Sequence, residues 1–203
     1  MTISVIGLNH KSANIDIREK FSFTADSASL LLRRIKKVRD ILEVIVVSTC
    51  NRTEIYCESA NGSDDIKNWL LSEKEYKSFA KHLYIHQEED AIEHLFKVVA
   101  GLDSMVIGES EVLGQVKTAY KIALDNKSID GKLKRLFEYS FSVAKNVRTN
   151  TDIGGNAISF MYTSILLIKK IFSTVEEKKC LLIGAGEMTC LLYTSPSPRD
   201  RSL

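Results

Sequence analysis

The sequence predicts a mixed α/β protein, on the basis of three observations. Strand-like and helix-like segments alternate up to about residue 85, which is typical of an α/β or α+β unit. From Glu88 onward, apolar residues recur at helical spacing. A further strand-like run, Cys180–Ile183, then leads into two glycines. We therefore expect an α+β amino-terminal domain with several helices, followed by the start of a second α/β domain.

The first part of the chain contains predicted strands separated by helices. Asp26–Val38 has helical periodicity, and turn residues at 61–64 introduce another helix that runs through Trp69. The run at 44–48 is β-branched and the run at 53–58 alternates between polar and apolar residues, both of which favour strands. The predicted strands are Ile3–His10, Val44–Ser48 and Thr53–Glu58.

The second part is predicted to be helical up to a domain boundary. The predicted helices are Glu88–Val99, Glu111–Leu124 and Ile129–Arg148. The glycines at 154 and 155 are expected to break this pattern, which Ala157–Phe172 resumes. We therefore expect a catalytic and substrate-binding domain over residues 1–153. Residues 154–189 would form a connecting helix and the incomplete start of a nucleotide-binding domain.

The last fourteen residues, 190–203, differ from the rest of the chain. Both prolines, Pro196 and Pro198, occur here, and apolar periodicity is missing where a helix is expected. A disordered natural terminus is one interpretation. We favour non-native sequence joined to a truncated chain, because the change interrupts the motif that begins at residue 181.

Composition and charge limit the class of protein. The 28 basic and 26 acidic residues nearly balance, whereas nucleic-acid-binding proteins usually carry a strong basic excess. The start has no features of a signal peptide, and no apolar run approaches the roughly 20 residues of a membrane span. The four cysteines lack metal-ligand spacing. We expect a protein of the cytoplasm with reduced thiols and no metal.

Cys50 is the strongest candidate for a reactive residue. It follows a buried-type strand, and α/β folds tend to place their sites at the carboxyl ends of strands. A thiolate readily takes an acyl group from an ester, and the resulting thioester remains activated. A nearby cation such as Arg52 could lower the pKa of the thiol, or Arg52 could bind a substrate carboxylate. The alternative is a small buried hydrophobe, which is the interpretation we give Cys57.

Three segments resemble one known family. Ser48–Glu54, Ile6–Ser12 and Gly101–Lys117 are similar to characteristic segments of the glutamyl-tRNA reductases, in the same order and at compatible spacing. The resemblance covers about residues 1–189. One departure is Glu109-Ser110-Glu111, where the family usually has Glu-Pro-Gln, and this puts the role of Glu111 in question.

The resemblance implies a function and a set of site residues. Cys50 would attack the ester of glutamyl-tRNA, and NADPH would reduce the resulting thioester to glutamate-1-semialdehyde, the first step of tetrapyrrole synthesis. His94 would be needed for activity, and Arg52 would bind the α-carboxylate or other polar groups of the glutamyl moiety. The other residues that match substrate-binding positions are Thr49, Asn51, Ser104, Glu109, Glu111 and Gln115.

A nucleotide-binding motif begins near residue 181. A strand is followed by Gly184 and Gly186, and such glycines let the backbone approach a pyrophosphate at a helix N-terminus. Thr189 departs from the third small residue of the Rossmann pattern. The resemblance makes NADPH the expected cofactor. Its predicted contacts are Gly184, Ala185, Gly186, Glu187, Met188 and Thr189.

The resemblance also implies partners. The family forms a homodimer through a carboxyl-terminal domain that has no counterpart here, and product could pass to glutamate-1-semialdehyde aminomutase. Two other classes remain open from the residues. A cysteine-dependent aldehyde dehydrogenase usually has its nucleotide domain before the cysteine. A non-enzymatic RNA-binding module would leave the polar residues around Cys50 unexplained.

Overall fold

The computed structural model describes residues 1–109, 111–155, 167–168, 170–172 and 181. The chain divides into two compact units, Met1–Ala157 and Ile158–Leu203. All secondary-structure elements with defined bounds belong to the first unit. Among the described residues, no helix combines the length and apolar character that a membrane span requires.

A four-stranded antiparallel sheet forms the centre of the first unit. Its order is β2-β3-β1-β4. The three predicted strands are confirmed with slightly different ends, and the short fourth strand was not predicted. The strands are β1 Thr2–Asn9, β2 Ile41–Ser48, β3 Arg52–Ser59 and β4 Tyr84–Gln87.

Helices make up the rest of this unit, and the mixed fold class is confirmed. The helices are α1 Ile15–Lys20, α2 Ala25–Ile35, α3 Ser63–Ser72, the 3₁₀ helix Lys77–His82, α4 Glu88–Ala100, α5 Glu111–Asp125, α6 Lys132–Asn150 and α7 Asp152–Gly155. The expected break at 154–155 is wrong, because the extended residue Thr151 ends α6 and the next helix includes both glycines. Most of the predicted helix Ala157–Phe172 lies outside the described residues.

Strand β3 carries polar side chains on the face that meets helices α4 and α6. Glu54 contacts His94 of α4, and the Tyr56 ring packs edge-on against Phe137 of α6. Alternate residues of a strand point to the same face, so Arg52 and Glu58 share this side. These four residues of β3, Arg52, Glu54, Tyr56 and Glu58, are all buried. A polar face is therefore enclosed between sheet and helices, and its charges need partners there.

Helix α6 begins at a carboxylate supplied by strand β2. Glu43 accepts hydrogen bonds from the backbone N–H groups of Asp130 and Gly131 at 2.6 Å and of Leu133 at 2.7 Å. Helix N-termini leave such donors unsatisfied and favour negative charge. Burial opposes ionisation, but these hydrogen bonds hold the pKa of Glu43 below its usual value. Glu43 thus joins α6 to the sheet.

Candidate active site

Cys50 lies at the tip of the hairpin that joins β2 to β3. The Thr49 N–H donates to the Arg52 carbonyl at 2.8 Å, and the Thr49 hydroxyl accepts from the N–H groups of Asn51 and Arg52 at 3.2 Å. The His10 N–H also donates to the Asn51 carbonyl at 3.0 Å. These bonds fix the turn and leave Cys50 exposed.

Two expectations about this cysteine need correction. Its position does not follow the rule for parallel strands, because β2 and β3 are antiparallel and Cys50 belongs to their turn. Its pKa is raised rather than lowered, because neighbouring protein displaces water and the carboxylates of Glu109 and Glu111 add negative charge. The cation that opposes this rise is Arg18 rather than Arg52.

Arg18 is a residue of the turn region that the sequence did not single out. Its guanidinium donates to the Cys50 carbonyl at 3.1 Å and to Asn51 Oδ1 at 3.0 Å. Arg18 belongs to the short helix α1, whose N-cap Asn14 accepts from the Ile17 N–H at 3.1 Å. Asn14 was a sequence signal for α1, since Ser, Thr, Asp and Asn favour N-caps, as was Asp16 in the first turn.

Arg52 is buried in a set of ion pairs. Its Nη1 lies 2.7 Å from Glu54 Oε1, and its Nη2 lies 3.1 Å from Asp103 Oδ2 and also donates to the Asp103 carbonyl. Its side chain is 1% exposed. Although burial favours the neutral form, the charge of Glu54 raises the pKa of Arg52. A substrate group can reach this guanidinium only if a neighbour moves, and its role in substrate binding stays a prediction.

Glu54 is the centre of the buried network. Its Oε1 receives hydrogen bonds from Arg52 at 2.7 Å, from the Tyr84 hydroxyl at 2.5 Å and from His94 Nε2 at 2.8 Å. The Tyr56 hydroxyl donates to Oε2 at 2.7 Å. Burial alone would raise the pKa of Glu54, but the bond from His94 and the charge of Arg52 outweigh it and lower the pKa to about 2.

The structure places His94 in this network and fixes the orientation of its ring. Because the ionised Glu54 can only accept, Nε2 of His94 carries the proton in this contact. The ring stacks on His86 with centroids 4.8 Å apart and meets Tyr84 edge-on at 5.5 Å. Only Nδ1 of His94 is then available for proton exchange. Its role in activity stays a prediction.

Gly7 provides the space for Glu54. It lies opposite Glu54 in the β1–β3 register. A Cβ atom at position 7 would come within 2.6 Å of the Thr53 carbonyl oxygen and 2.8 Å of Glu54 Cγ. The buried carboxylate therefore requires glycine across the strand.

The segment from Ser104 to Glu111 brings carboxylates to Cys50. Ser104 Oγ and Glu109 Oε1 are buried without a hydrogen-bond partner among the described residues. Burial raises the pKa of Glu109, the adjacent Ser104 hydroxyl lowers it and the charge of Glu111 raises it. The loop turns at Gly101 and Gly108, whose φ angles are 79° and 85°, which favours glycine.

The remaining predicted site residues lie in different places. Thr49 and Asn51 form the hairpin turn, and Gln115 is half-buried on α5. Ser110 lies outside the described residues, as do the predicted cofactor contacts at 184–189. The sequence interpretation missed Glu54, Tyr84, Asp103 and Arg18. Of these four residues, only Glu54 had a signal in the sequence, namely its place among the alternating charged residues of β3.

Comparison with known proteins identifies the family. Residues 6–151 match the family model described as the N-terminal domain of glutamyl-tRNAGlu reductase. The glutamyl-tRNA reductase of Aliivibrio fischeri is 43% identical over 191 residues, with 92% of this chain and 46% of that protein covered. That of Idiomarina loihiensis is 42% identical over 194 residues, with 95% and 46% covered.

A solved structure shows the same fold. Glutamyl-tRNA reductase from Methanopyrus kandleri superposes with a TM-score of 0.66 and 27% identity, covering 92% of this chain and 44% of that one. The chain thus spans about half the length of the relatives it matches. We therefore set aside the two alternative interpretations of the sequence, a cysteine-dependent aldehyde dehydrogenase and a non-enzymatic RNA-binding module. The chain belongs to the glutamyl-tRNA reductase family.

Proposed function

We propose that this chain supplies the acyl-transfer half of a glutamyl-tRNA reductase, the enzyme that reduces glutamyl-tRNA to glutamate-1-semialdehyde. The observation that carries the proposal is the exposed residue Cys50, held on a hydrogen-bonded turn beside the loop of Glu109. Such a thiol can accept an acyl group and keep it activated as a thioester.

The acyl-transfer step forms one bond and breaks another. The Cys50 sulfur attacks the carbonyl carbon of the glutamyl ester, the C–O bond to the terminal ribose breaks, and free tRNA leaves. The raised pKa of Cys50 means that the thiol proton must pass to a base as the sulfur attacks. Glu109 and Glu111 are the carboxylates whose charges act on the sulfur.

The departing ribose oxygen needs a proton. We assign this step to His94: because its Nε2–H is committed to Glu54, its Nδ1 would take up the proton that the thiol releases and then give it to the departing ribose oxygen. The buried Glu54 thereby fixes the tautomer, as the orienting carboxylate does in other acyl-transfer sites. The family membership of the chain supports this assignment, and the contacts of His94 are compatible with it.

The assignment of Arg52 changes when the substrate is considered. The α-carboxyl of the glutamyl group is esterified to tRNA, so it is not a free carboxylate. Arg52 would instead interact with the γ-carboxylate or the reacting carbonyl, once the contact of Asp103 opens. Thr49, Asn51, Ser104 and Gln115 are proposed as neutral hydrogen-bonding groups of the same pocket.

Reduction of the thioester would complete the reaction. NADPH would supply the hydride, and residues 184–189 are proposed as its contacts. We also propose that the full-length protein forms a homodimer through a further domain, passes its product to an aminomutase and acts in the cytoplasm.

The test is release of tRNA without a reductant. The chain, incubated with glutamyl-tRNA in the absence of NADPH, is expected to release free tRNA in a burst equal to the number of active sites. Cys50→Ser should abolish the burst, and Cys57→Ala, a buried cysteine of the core, should retain it. A burst of normal size from Cys50→Ser would refute the proposal.

A further inference from the structure

A cationic groove lies between helices α5 and α6, apart from the residues assigned above. The groove is open to solvent and has a volume of about 470 Å³. Its walls carry Lys117 from α5 and Lys145 and Arg148 from α6, together with the hydroxyl residues Ser142 and Thr149 of α6. Residues three and four apart share one face of a helix. The three cations therefore point into one depression.

The cations of this groove have no acidic partner among the described residues. Neither lysine nor Arg148 forms an ion pair there. Helix α6 contains five basic residues and one acid, Glu138. Glu138 accepts from the Tyr120 hydroxyl at 2.7 Å and does not line the groove. The positive charge is therefore available to an anion.

The lining suits a phosphate rather than a carboxylate in an apolar pocket. Lys117 Nζ lies 5.8 Å from the centre of the Phe141 ring, which places the ammonium over an aromatic wall. Arg148 Nε is buried and has no hydrogen-bond partner among the described residues. Hydroxyls beside lysines and an arginine are the groups that contact phosphate oxygens in nucleic-acid complexes.

The groove is connected to the loop beside Cys50. Arg148 Nη2 donates to the carbonyl oxygen of Glu109 at 2.6 Å, and the Glu109 carboxylate acts on the Cys50 thiol. An RNA strand that presents its terminal ester to Cys50 has phosphates along the chain leading away from it. The groove lies where such a phosphate can be neutralised.

We propose that this groove binds the phosphate backbone of the RNA substrate next to its acylated end. The inference rests on the proposed function, since it assumes that the acyl group arrives on RNA. It also explains how a chain with a net charge of only +2 can hold a polyanion, because the basic residues are concentrated locally.

The experiment compares two double variants of the whole chain. Lys117→Gln with Lys145→Gln removes two groove cations and leaves Arg148 to hold the loop. Lys37→Gln with Lys67→Gln removes two exposed lysines outside the groove. Binding of glutamyl-tRNA is measured at several salt concentrations, and acylation of Cys50 is measured with glutamyl α-benzyl thioester, which carries no phosphate.

The groove variant should bind glutamyl-tRNA more weakly, with a salt dependence reduced by about one unit of slope for each lysine removed. Its acylation by the thioester should match that of the unmodified chain, and the Lys37 and Lys67 variant should match in both assays. If the two double variants had equal affinity for glutamyl-tRNA and equal salt dependence, the phosphate-binding role of the groove would be wrong and the proposed function would remain intact. Acylation of the unmodified chain by the thioester but never by glutamyl-tRNA would overturn both.

Discussion

Replacing Glu54 by glutamine removes the charge that holds the buried network together. Glutamine resembles the protonated carboxyl group, so it leaves Arg52 charged and 1% exposed, with Asp103 as its one acidic partner among the described residues. Removing one partner of a buried ion pair is strongly destabilising, typically by about 3–5 kcal/mol when the other charge is left unpaired, and Asp103 compensates Arg52 in part. We therefore expect Glu54→Gln to lower the free energy of unfolding substantially at pH 7.

The magnitude follows from the pKa of Glu54. Its value falls from 4.5 in the unfolded chain to about 2 in the folded protein. At about 1.4 kcal/mol per pH unit, this difference corresponds to about 3 kcal/mol. This value lies within the general range for a broken buried ion pair, so we expect Glu54→Gln to lose about 3 kcal/mol of the free energy of unfolding.

The same difference fixes the pH dependence. A depressed carboxyl pKa contributes stability that is complete above pH 4.5 and is lost as the pH falls toward about 2. The difference in free energy of unfolding between the unmodified protein and Glu54→Gln should therefore be full at pH 7 and should decrease steadily below pH 4.5.

Urea unfolding at pH 7, 4 and 3 measures this gap. The control is Glu93→Gln, which removes an exposed carboxylate paired with Lys97 and should leave unfolding at pH 7 unchanged. A loss below about 1 kcal/mol at pH 7 would refute the reasoning, because breaking a buried ion pair costs more than that. A gap that stays constant between pH 7 and pH 3 would refute it as well.

Two further predictions concern the neighbours of this network and of the thiol. Gly7→Ala should destabilise the protein by about 2–3 kcal/mol because its Cβ would meet backbone atoms within 3 Å. The control Gly114→Ala, whose Cβ has nothing within 4 Å, should stabilise helix α5 slightly. Equal urea midpoints for the two variants would contradict this prediction. Glu109→Gln should lower the pKa of Cys50 and speed its alkylation at pH 8 by about two- to fivefold, from about 0.5–1 kcal/mol of partly screened charge interaction. Glu89→Gln, an exposed acid of α4, serves as its control, and an unchanged or slower rate for Glu109→Gln would count against the assigned electrostatics.

The central strands and the long helices were predictable because each carries its own periodic pattern. The β-branched residues of β2 and the repeated apolar spacing of α4 to α6 indicate their structures without help from the rest of the chain. Helix α1 and strand β4 were missed for the opposite reason. Helix α1 has no buried residue, and the four residues of β4 become a strand by pairing with β1.

The buried polar network was not predictable from sequence. The alternation of Arg52, Glu54 and Glu58 with apolar residues suggests a strand with one face in water. The structure instead covers that face with α4 and α6, which supply His94 and Phe137. Partners forty residues apart are brought together by the fold, and a local pattern carries no signal for them.

The reactive cysteine was predictable, but the charges around it were not. The residues next to Cys50 in sequence indicated a polar turn, which the structure has. Burial contributes most to its raised pKa, and the charged groups that act on it are Glu109, Glu111 and Arg18, all more than thirty residues from it in sequence. Sequence proximity therefore assigned the electrostatic role to Arg52, which faces away into the Glu54 network.

The most direct test is to identify the residue that carries the glutamyl group. The chain is incubated with radiolabelled glutamyl-tRNA without NADPH, digested under acidic conditions and separated into peptides. The label should appear on the peptide that contains Cys50 and should be removed by hydroxylamine, as expected of a thioester. Label on the Cys57 residue instead, or no label on a folded chain that binds the RNA, would contradict the central claim that Cys50 is the acyl acceptor.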